Sequence, residues 1–566
     1  MILAIAAVLS ILATPFVKFI AFRGYGFAHA EVAIVFAYLA VTAVAIAAVV
    51  MLRAETLRPL TLGLLILVFG FSEFAQLGWT PPFAVEPGSM AEKMIYGALA
   101  AVAVGAVMAG AWAARRRIEP FVVTVFGVMM VAAVIFPPEV KDTWTSRNRP
   151  AAAGGPVVAA APLPPVVHIV FDQHIGIDGL PPEIDAGREL AGEIREFYAR
   201  YGFRLFSSAF THFPATVESI PNLLNGKVVP SAAADVEGNE DSARLLRNAW
   251  FRQLAAKGYR IDVYQSRYLD YCAPGSDAAA LVGSCHTYNQ ADVRYYHAMD
   301  IAPPAKAKLL FAYFVGVDYQ PVLYRLLYIH HRLRLWLASI GVDLSPREVV
   351  AISPSPLVSM DAMARLARRI ETLRDGEAVF AHLLLPHDPY VFDRRCRLRD
   401  GVDSWTGRRG PLWMFNVGNT PEHRAARYRA YLEQVGCVYA KLGDILDGMR
   451  KRGILDKSII VVHGDHGSMI GLLDAVALNA GKLGDRDIID TYSTLFAAKL
   501  PGAAAGEVAA QRSSQYLFAD QVAGWPGVEA HDDVFLAPNR GIVGPGQTRR
   551  PMVPIRAPST GRAGGN

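Results

Sequence analysis

Cysteine is scarce in this chain: four in 566 residues, as Cys272, Cys285, Cys396 and Cys437. No C-x-x-C or Cys/His spacing is present, which removes zinc-finger and thioredoxin-type readings. Charge is sparse as well, at 19% Asp, Glu, Lys and Arg with a formal net charge of +5. No Lys/Arg stripe interleaved with aromatics occurs, so nucleic acid is not an expected partner. The most uneven deficit is of charge in the first 137 residues, which are almost continuously apolar.

Five apolar stretches lie there, at 2–21, 30–52, 60–78, 94–114 and 119–137. Each approaches the roughly 20 residues a helix needs to cross about 30 Å of hydrocarbon. Pro15, Lys18 and the lack of a small-residue cleavage site argue against a cleaved signal peptide at the first. Arg53, Arg58 and the run Arg115–Arg117 sit in alternate loops, while Trp79, Glu86 and Glu92 occupy the loop between. Basic loops stay in the cytoplasm, so everything after Pro137 is expected outside; Lys18 and Arg23 beside the first outward loop run against this pattern. The four cysteines, all in the exported part, fit an oxidising compartment. Of three possible pairings, Cys272 with Cys285 and Cys396 with Cys437 is the one expected.

Residues 138–165 are Pro/Ala/Gly-rich and read as a linker. Helical and strand patterns then alternate. VVHIVF (166–171) reads as a buried strand, 183–201 as a helix, FRLFSSAF as a strand, and ARLLRNAWFRQLAAKGY as a helix before RIDVYQS. MARLARRIETLRD precedes the strand AVFAHLLLP, and a long helix from about His423 to Arg452 precedes SIIVVHG. Such alternation implies a parallel sheet covered by helices. Residues 306–340 are apolar, aromatic and basic; they read as a helical pair packed on the sheet or as an amphipathic element on the outer leaflet. The last 25 residues or so, rich in Gly, Pro and Arg, are expected to be disordered.

In parallel sheets, functional groups gather where strands end at their carboxyl edge. Asp172 follows VVHIVF, His387 and Asp388 follow AHLLLP, and Asp465 and His466 follow IIVVHG. In HGDHGS a carboxylate and an imidazole stand side by side, flanked by Gly464 and Gly467, a donor pair suited to Zn²⁺ or Mn²⁺. In THFPATVESIPNLLNGK, Thr216 is expected at a helix N-terminus, where backbone N–H groups attract an anion and a metal lowers the hydroxyl pKa. His387 could donate to a phosphate oxygen or protonate a leaving alkoxide. His174 reads as a solvated turn residue or as a supplement to the site, and His168, His212 and His463 as core or turn histidines without a role.

The order of an acidic residue after strand one, T-x-x-S-I-P, P-H-x-P and D-H-G resembles the membrane-bound branch of the alkaline-phosphatase/sulfatase superfamily over residues 166–500. That branch includes lipoteichoic acid synthases and phosphoethanolamine and phosphoglycerol transferases. The resemblance implies five transmembrane helices (1–137), a linker (138–165), an exported α/β/α catalytic domain with a mainly parallel sheet (166–540) and a tail (541–566). It implies a phospho-threonine at Thr216, a divalent metal held by Asp172, Thr216, Asp465 and His466, room for a second metal, and His387 at the substrate. It also implies a bacterial inner-membrane protein that moves a headgroup from a phospholipid to an envelope glycan or lipid. Two departures from the pattern stand out. Asp172 replaces the usual Glu, and SIPN lacks the cysteine of the phosphoethanolamine subgroup. No C/S-x-P-x-R motif for a formylglycine is present, so sulfate hydrolysis is the less favoured chemistry. A phosphodiesterase or a catalytically silent lipid-binding regulator are the alternatives.

Overall fold

A computed structural model describes the chain except for residues 1, 52–56, 77–89, 141, 149–162, 230–234, 240–241, 319–332, 334–336, 338, 341–352, 400, 407–420, 471–484, 527–532, 537–552 and 557–566. It divides into two compact units: residues 1–141 with 292–345, and residues 142–291 with 346–566.

The first unit is helical. Its helices are α1 (Ile2–Phe22), α2 (Ala30–Met51), α3 (Leu57–Gln76), α4 (Met90–Ala113) and α5 (Ile118–Ile135). Among the described residues, Ile2–Phe22, Ala30–Val49 and Ile118–Ile135 are long and apolar enough to cross a membrane. Shorter apolar stretches lie at Leu57–Phe69 and Ala101–Ala113. Apolar side chains face outward here: Val41 is 68%, Val102 69% and Phe121 64% exposed. Water would penalise each of them, and lipid would not. The α1 helix is the hub, packed on α2, α3 and α5.

Two more helices complete this unit, α9 (Tyr295–Ala298) and α10 (Pro303–Asp318). Here the chain departs from the contiguous 166–540 domain expected from sequence. The described part of segment 306–340, α10, packs on α1 and α2 instead of the sheet: Phe314 lies 5.3 Å from Phe16 and 5.4 Å from Phe19, and Tyr313 6.3 Å from Phe19, between ring centroids. Its Tyr313 and Phe314 side chains are buried against apolar helices, which α1 and α2 supply. The rest of that segment lies almost wholly outside the described residues.

The second unit is built on a nine-stranded sheet. Its strands are β1 (Trp144–Asn148), β2 (Val166–Phe171), β3 (Arg204–Phe206), β4 (Arg260–Ser266), β5 (Val282–Tyr288), β6 (Glu377–Leu383), β7 (Ile459–Gly464), β8 (Phe496–Lys499) and β9 (Gly506–Val508). They lie in the order β1-β5-β4-β6-β2-β7-β8-β3-β9. The central five, β5-β4-β6-β2-β7, are all parallel. β1 and β8 run antiparallel to their neighbours. The helices are α6 (Asp185–Arg200), α7 (Thr216–Leu224), α8 (Ala249–Ala256), α11 (Ser355–Ile370), α12 (Pro421–Lys451) and α13 (Asp485–Tyr492). β2 is buried along its whole length, as a strand covered on both faces must be.

Three local readings change. ARLL, expected to be helical, forms the strand Ser242–Leu245; helix α8 starts only after Asn248, whose side chain accepts the Phe251 N–H at 3.0 Å. Within the expected linker, Trp144–Asn148 pairs with β5 as an edge strand. Within the expected tail, Val553–Arg556 pairs antiparallel with Asp533–Leu536, and the remainder of 541–566 lies outside the described residues.

Both cysteine pairs are bonded, Cys272–Cys285 and Cys396–Cys437. They close loops of 13 and 41 residues. By loop-closure entropy, removing the second by Cys396→Ser with Cys437→Ser should cost about 4 kcal/mol and the first about 3 kcal/mol. Chemical denaturation monitored by tryptophan fluorescence would show the larger loss for the 396–437 pair.

Candidate active site

The sheet register places two carboxylates side by side. Phe171 and Gly464 are paired across β2 and β7, and the next residues on the two strands are Asp172 and Asp465. β6 continues the ladder on the other side, with Asp172 N–H donating to Leu383 O at 2.9 Å. Three strand ends therefore meet at one point of the carboxyl edge.

The glycines flanking Asp465–His466 are needed for close approach. A Cβ at Gly464 would lie 2.4 Å from His174 O, and one at Gly467 2.0 Å from Asp490 O. The turn after β2 is equally constrained. Gln173 takes a left-handed φ of 62°, which costs a non-glycine residue free energy and commonly marks functional turns. That twist aims the Gln173 N–H at Asp465 Oδ1 (2.8 Å), while Tyr431 on α12 donates to Gln173 O (2.8 Å) and accepts from Ile175 N–H (3.0 Å).

Thr216 is the first residue of α7. Its hydroxyl donates to Asp465 Oδ2 at 2.6 Å, and Asp172 Oδ2 lies 3.5 Å away. One helical turn later, Ser219 Oγ donates to Asp465 O at 2.6 Å. The T-x-x-S spacing thus puts two hydroxyls on one helix face, both against Asp465. Thr211 Oγ1 lies 3.0 Å from Ser219 Oγ, and Gln515 Nε2 donates to Thr211 Oγ1 at 3.1 Å.

His466 Nδ1 lies 2.9 Å from Gly467 O. A carbonyl can only accept, so Nδ1 carries a proton and Nε2 is the ring atom turned to the carboxylates, 3.4 Å from Asp465 Oδ2. Asp172, Asp465 and His466 are all buried, each offering one ligand atom within 4.8 Å of the others.

Charge in this cluster is unbalanced. Burial pushes Asp172 up, but the nearby imidazoles of His387, His382 and His466 outweigh it and hold the carboxyl below the ordinary range. Asp465 goes the other way, raised by burial and by the Asp172 charge beside it. Two buried carboxylates this close favour holding one proton between them. Asp172 Oδ1 is buried without a hydrogen-bond partner among the described residues. An orphaned carboxylate oxygen, a second carboxylate, an imidazole nitrogen and a short hydroxyl form a donor set that fits a divalent cation.

The structure therefore brings Asp172, Thr216, Asp465 and His466 together. His387 stands outside the ligand cluster, its side chain 29% exposed and its Nδ1 2.7 Å from Asp388 O, yet near enough for its charge to act on Asp172. His174 is buried and not solvated, its Nδ1 2.9 Å from Ile175 O, and it is not among the clustered ligand atoms of Asp172, Asp465 and His466.

His382 was not singled out in the sequence. It lies in β6, with Nε2 3.5 Å from Asp172 Oδ2 and Nδ1 3.2 Å from Tyr271 OH. Tyr271 and His382 form a buried line behind Asp172. A histidine inside an otherwise apolar strand, AVFAHLLLP, was the available signal. Ser219 is visible in the sequence as the serine of T-x-x-S-I-P, but its contact with Asp465 and the support from Thr211 appear only once α7 is placed.

His168 and His463 are core residues, their Nε2 atoms 2.8 Å apart. Burial lowers both: His463 to about 4, and His168 further, with His463 adding to the effect. A buried histidine held neutral contributes stability that is complete above the unfolded value near 6.5 and is lost as pH falls toward 4. His463 alone should account for about 3 kcal/mol of that loss, measurable as a falling urea midpoint between pH 7 and pH 4.

No protein-family model and no curated protein sequence matches this chain. Solved structures do. A 2-O GAG sulfatase is similar with a TM-score of 0.39 and 11% identity, over 66% of this chain and 77% of the other. The phosphonate monoester hydrolase of Agrobacterium radiobacter has a TM-score of 0.37 and 13% identity, over 66% and 80%. A protein of the alkaline phosphatase superfamily from Vibrio parahaemolyticus has a TM-score of 0.33 and 10% identity, over 63% and 66%. The neighbours are sulfatases and alkaline-phosphatase-superfamily proteins. Likeness of this degree decides neither reaction nor substrate, which rest on the site itself.

Proposed function

We propose that this chain is a membrane-anchored, metal-dependent enzyme that transfers a phospho-headgroup from a phospholipid to an envelope acceptor through a covalent phospho-Thr216. The observation that carries this reading is the 2.6 Å contact from Thr216 Oγ1 to Asp465 inside a buried Asp/Asp/His cluster. A plain helix-capping threonine has no need of two buried carboxylates and an imidazole nitrogen.

Asp172, Asp465, His466 and Thr216 would hold the metal, which when bound supplies positive charge to the nucleophile and to the phosphoryl oxygens. The chain's own groups account for the rest. Thr216 gives its proton to Asp465 and attacks phosphorus at the N-terminus of α7, where the helix dipole favours an anion. The P–O bond to diacylglycerol breaks, and His387 at the rim protonates the leaving oxygen. An acceptor hydroxyl then displaces Thr216 from phosphorus, passes its proton to His387, and Thr216 recovers its own. Tyr271 and His382 orient Asp172 throughout.

The helical unit supports a membrane setting, and five spans with an exported second unit remain the proposed topology. α10 follows α1 downward from the α1–α2 corner. Phe16 is six residues before the end of α1 at Phe22, so Phe314, packed on Phe16, lies roughly 9 Å along the helix from that end at 1.5 Å per residue. This packing on a candidate membrane span supports reading α10 as an element at the level of the outer leaflet.

Headgroup-labelled phospholipids incubated with the purified chain and an envelope fraction test the reading. Diacylglycerol release with label on an acceptor is expected. Release with the label in water would identify a hydrolase, and no release with several headgroup classes would overturn the enzyme reading.

A further inference from the structure

Within the helical unit lies a second cluster that the proposed reaction does not use. The stretch Tyr25-Gly-Phe-Ala-His29-Ala-Glu31 forms the corner between α1 and α2, and α9 brings His297 to it from 266 residues away. Glu31 sits in the first turn of a long apolar helix yet is only 3% exposed. Its Oε1 accepts from Tyr25 OH at 2.8 Å and faces His297 Nδ1 at 3.0 Å. The imidazoles of His29 and His297 lie face to face, with centroids 3.6 Å apart and planes 25° apart. Tyr25 stands edge-on to both.

The backbone makes room for this arrangement. A Cβ at Gly26 would come within 2.9 Å of His29 Nε2. Lys306 Nζ donates to His297 O at 2.6 Å, holding α9 in place from α10. His29, Glu31 and His297 each offer one ligand atom, all within 4.8 Å of one another. His297 is half exposed, so the cluster opens to solvent on one side and is closed by the buried carboxylate on the other.

We propose that His29, Glu31 and His297 form a second divalent-metal site, of zinc type, that clamps α9 and the start of α10 to the α1–α2 corner. Two imidazoles and one carboxylate, drawn from two segments of the chain, are the donor set of three-ligand zinc sites, with water in the fourth position. A hydrogen-bonded His–Glu pair alone would need only His297. The second imidazole, stacked on the first and given space by Gly26, is what a cation explains. Tyr25 then acts as the outer partner that orients the ligating carboxylate. Binding would require the two rings to fan apart from their stack so that one nitrogen of each faces the same point. The clamp closes a long chain segment, so it should order α9 and α10 more than any other part of the helical unit.

The test uses the full chain in detergent, carrying Asp465→Asn and His466→Gln so that the sheet-edge site is disabled. After chelation, zinc loading and dialysis, mass spectrometry of metal content is expected to find one equivalent per chain. Adding His297→Gln or His29→Gln should reduce it to near zero, whereas Tyr25→Phe should retain it. X-ray absorption of the loaded protein should show two imidazole ligands on zinc. No retained zinc in the first variant, zinc unchanged by His297→Gln, or a zinc shell without imidazole would each overturn the proposal. Because the sheet-edge ligands are already removed, failure here leaves the proposed reaction standing, and failure of that reaction leaves this site standing.

Discussion

Replacing Thr216 with alanine is expected to lower diacylglycerol release by about 10³-fold or more, because the group that forms the covalent bond is gone. The fold should survive. Asp465 Oδ1 keeps its bonds from Gln173 N–H and His466 N–H, each at 2.8 Å, and Ser219 still holds the Asp465 carbonyl. Alanine is also acceptable in the first turn of a helix, so the stability change should be limited to about 1–3 kcal/mol for the hydroxyl that buried Asp465 Oδ2 loses. Intact-mass analysis of wild type stopped during turnover should show a phospho-adduct that Thr216→Ala lacks. Thr216→Ser keeps a hydroxyl and should retain measurable turnover. Undiminished release by Thr216→Ala, or an adduct that persists in it, would make the 2.6 Å contact merely structural.

Asp465→Asn should have two opposed effects. Loss of outer-shell partners alone weakens metal sites by roughly 10–100-fold, so loss of a direct ligand should weaken this one by roughly 100-fold or more. Turnover should fall with it. In metal-free protein, however, the substitution should stabilise the fold at neutral pH. The pKa of Asp465 is raised by burial and by Asp172, so its ionised form costs stability as pH rises above the unfolded value near 4. Asparagine removes that repulsion at nearly constant volume. Thermal unfolding with and without added Zn²⁺ or Mn²⁺ separates the effects. Wild type should gain stability on metal addition, as anything bound only by the native state must confer. The variant should start higher and gain little. A variant less stable than metal-free wild type, with the same metal response, would mean that the cluster is held by hydrogen bonds and not by a cation.

These expectations rest on features of unequal visibility. The strand ends were readable because β2, β6 and β7 are short apolar runs, rich in Val, Ile and Phe and bounded by polar turns, too short for the helices between them. Asp172, Asp465 and His466 followed from them. The HGDHGS glycines were readable as a turn, but the reason for them, atoms within 2.4 Å of any added Cβ, depends on His174 and Asp490 from distant segments. His382 was hidden because periodicity describes which face a strand residue occupies and not what the next strand places opposite it. The fate of α10 was hidden for a related reason. An apolar, aromatic helix fits a sheet or a helix bundle equally well, and only the presence of Phe16 and Phe19 on α1 selects the latter.

What the sequence determined by itself is therefore local and periodic: apolar runs of membrane-spanning length at the N-terminus, an alternating helix–strand order, a threonine opening a helix, and Asp-His at a strand end. These properties depend on neighbours within a few residues. Tertiary structure alone decided which distant groups meet. It set the parallel register that makes Asp172 and Asp465 adjacent and opposes their pKa values, the line from Tyr271 through His382 to Asp172, and the return of α9 and α10 to the first helices. Such meetings are fixed by packing across hundreds of residues, and packing is a property of the whole chain.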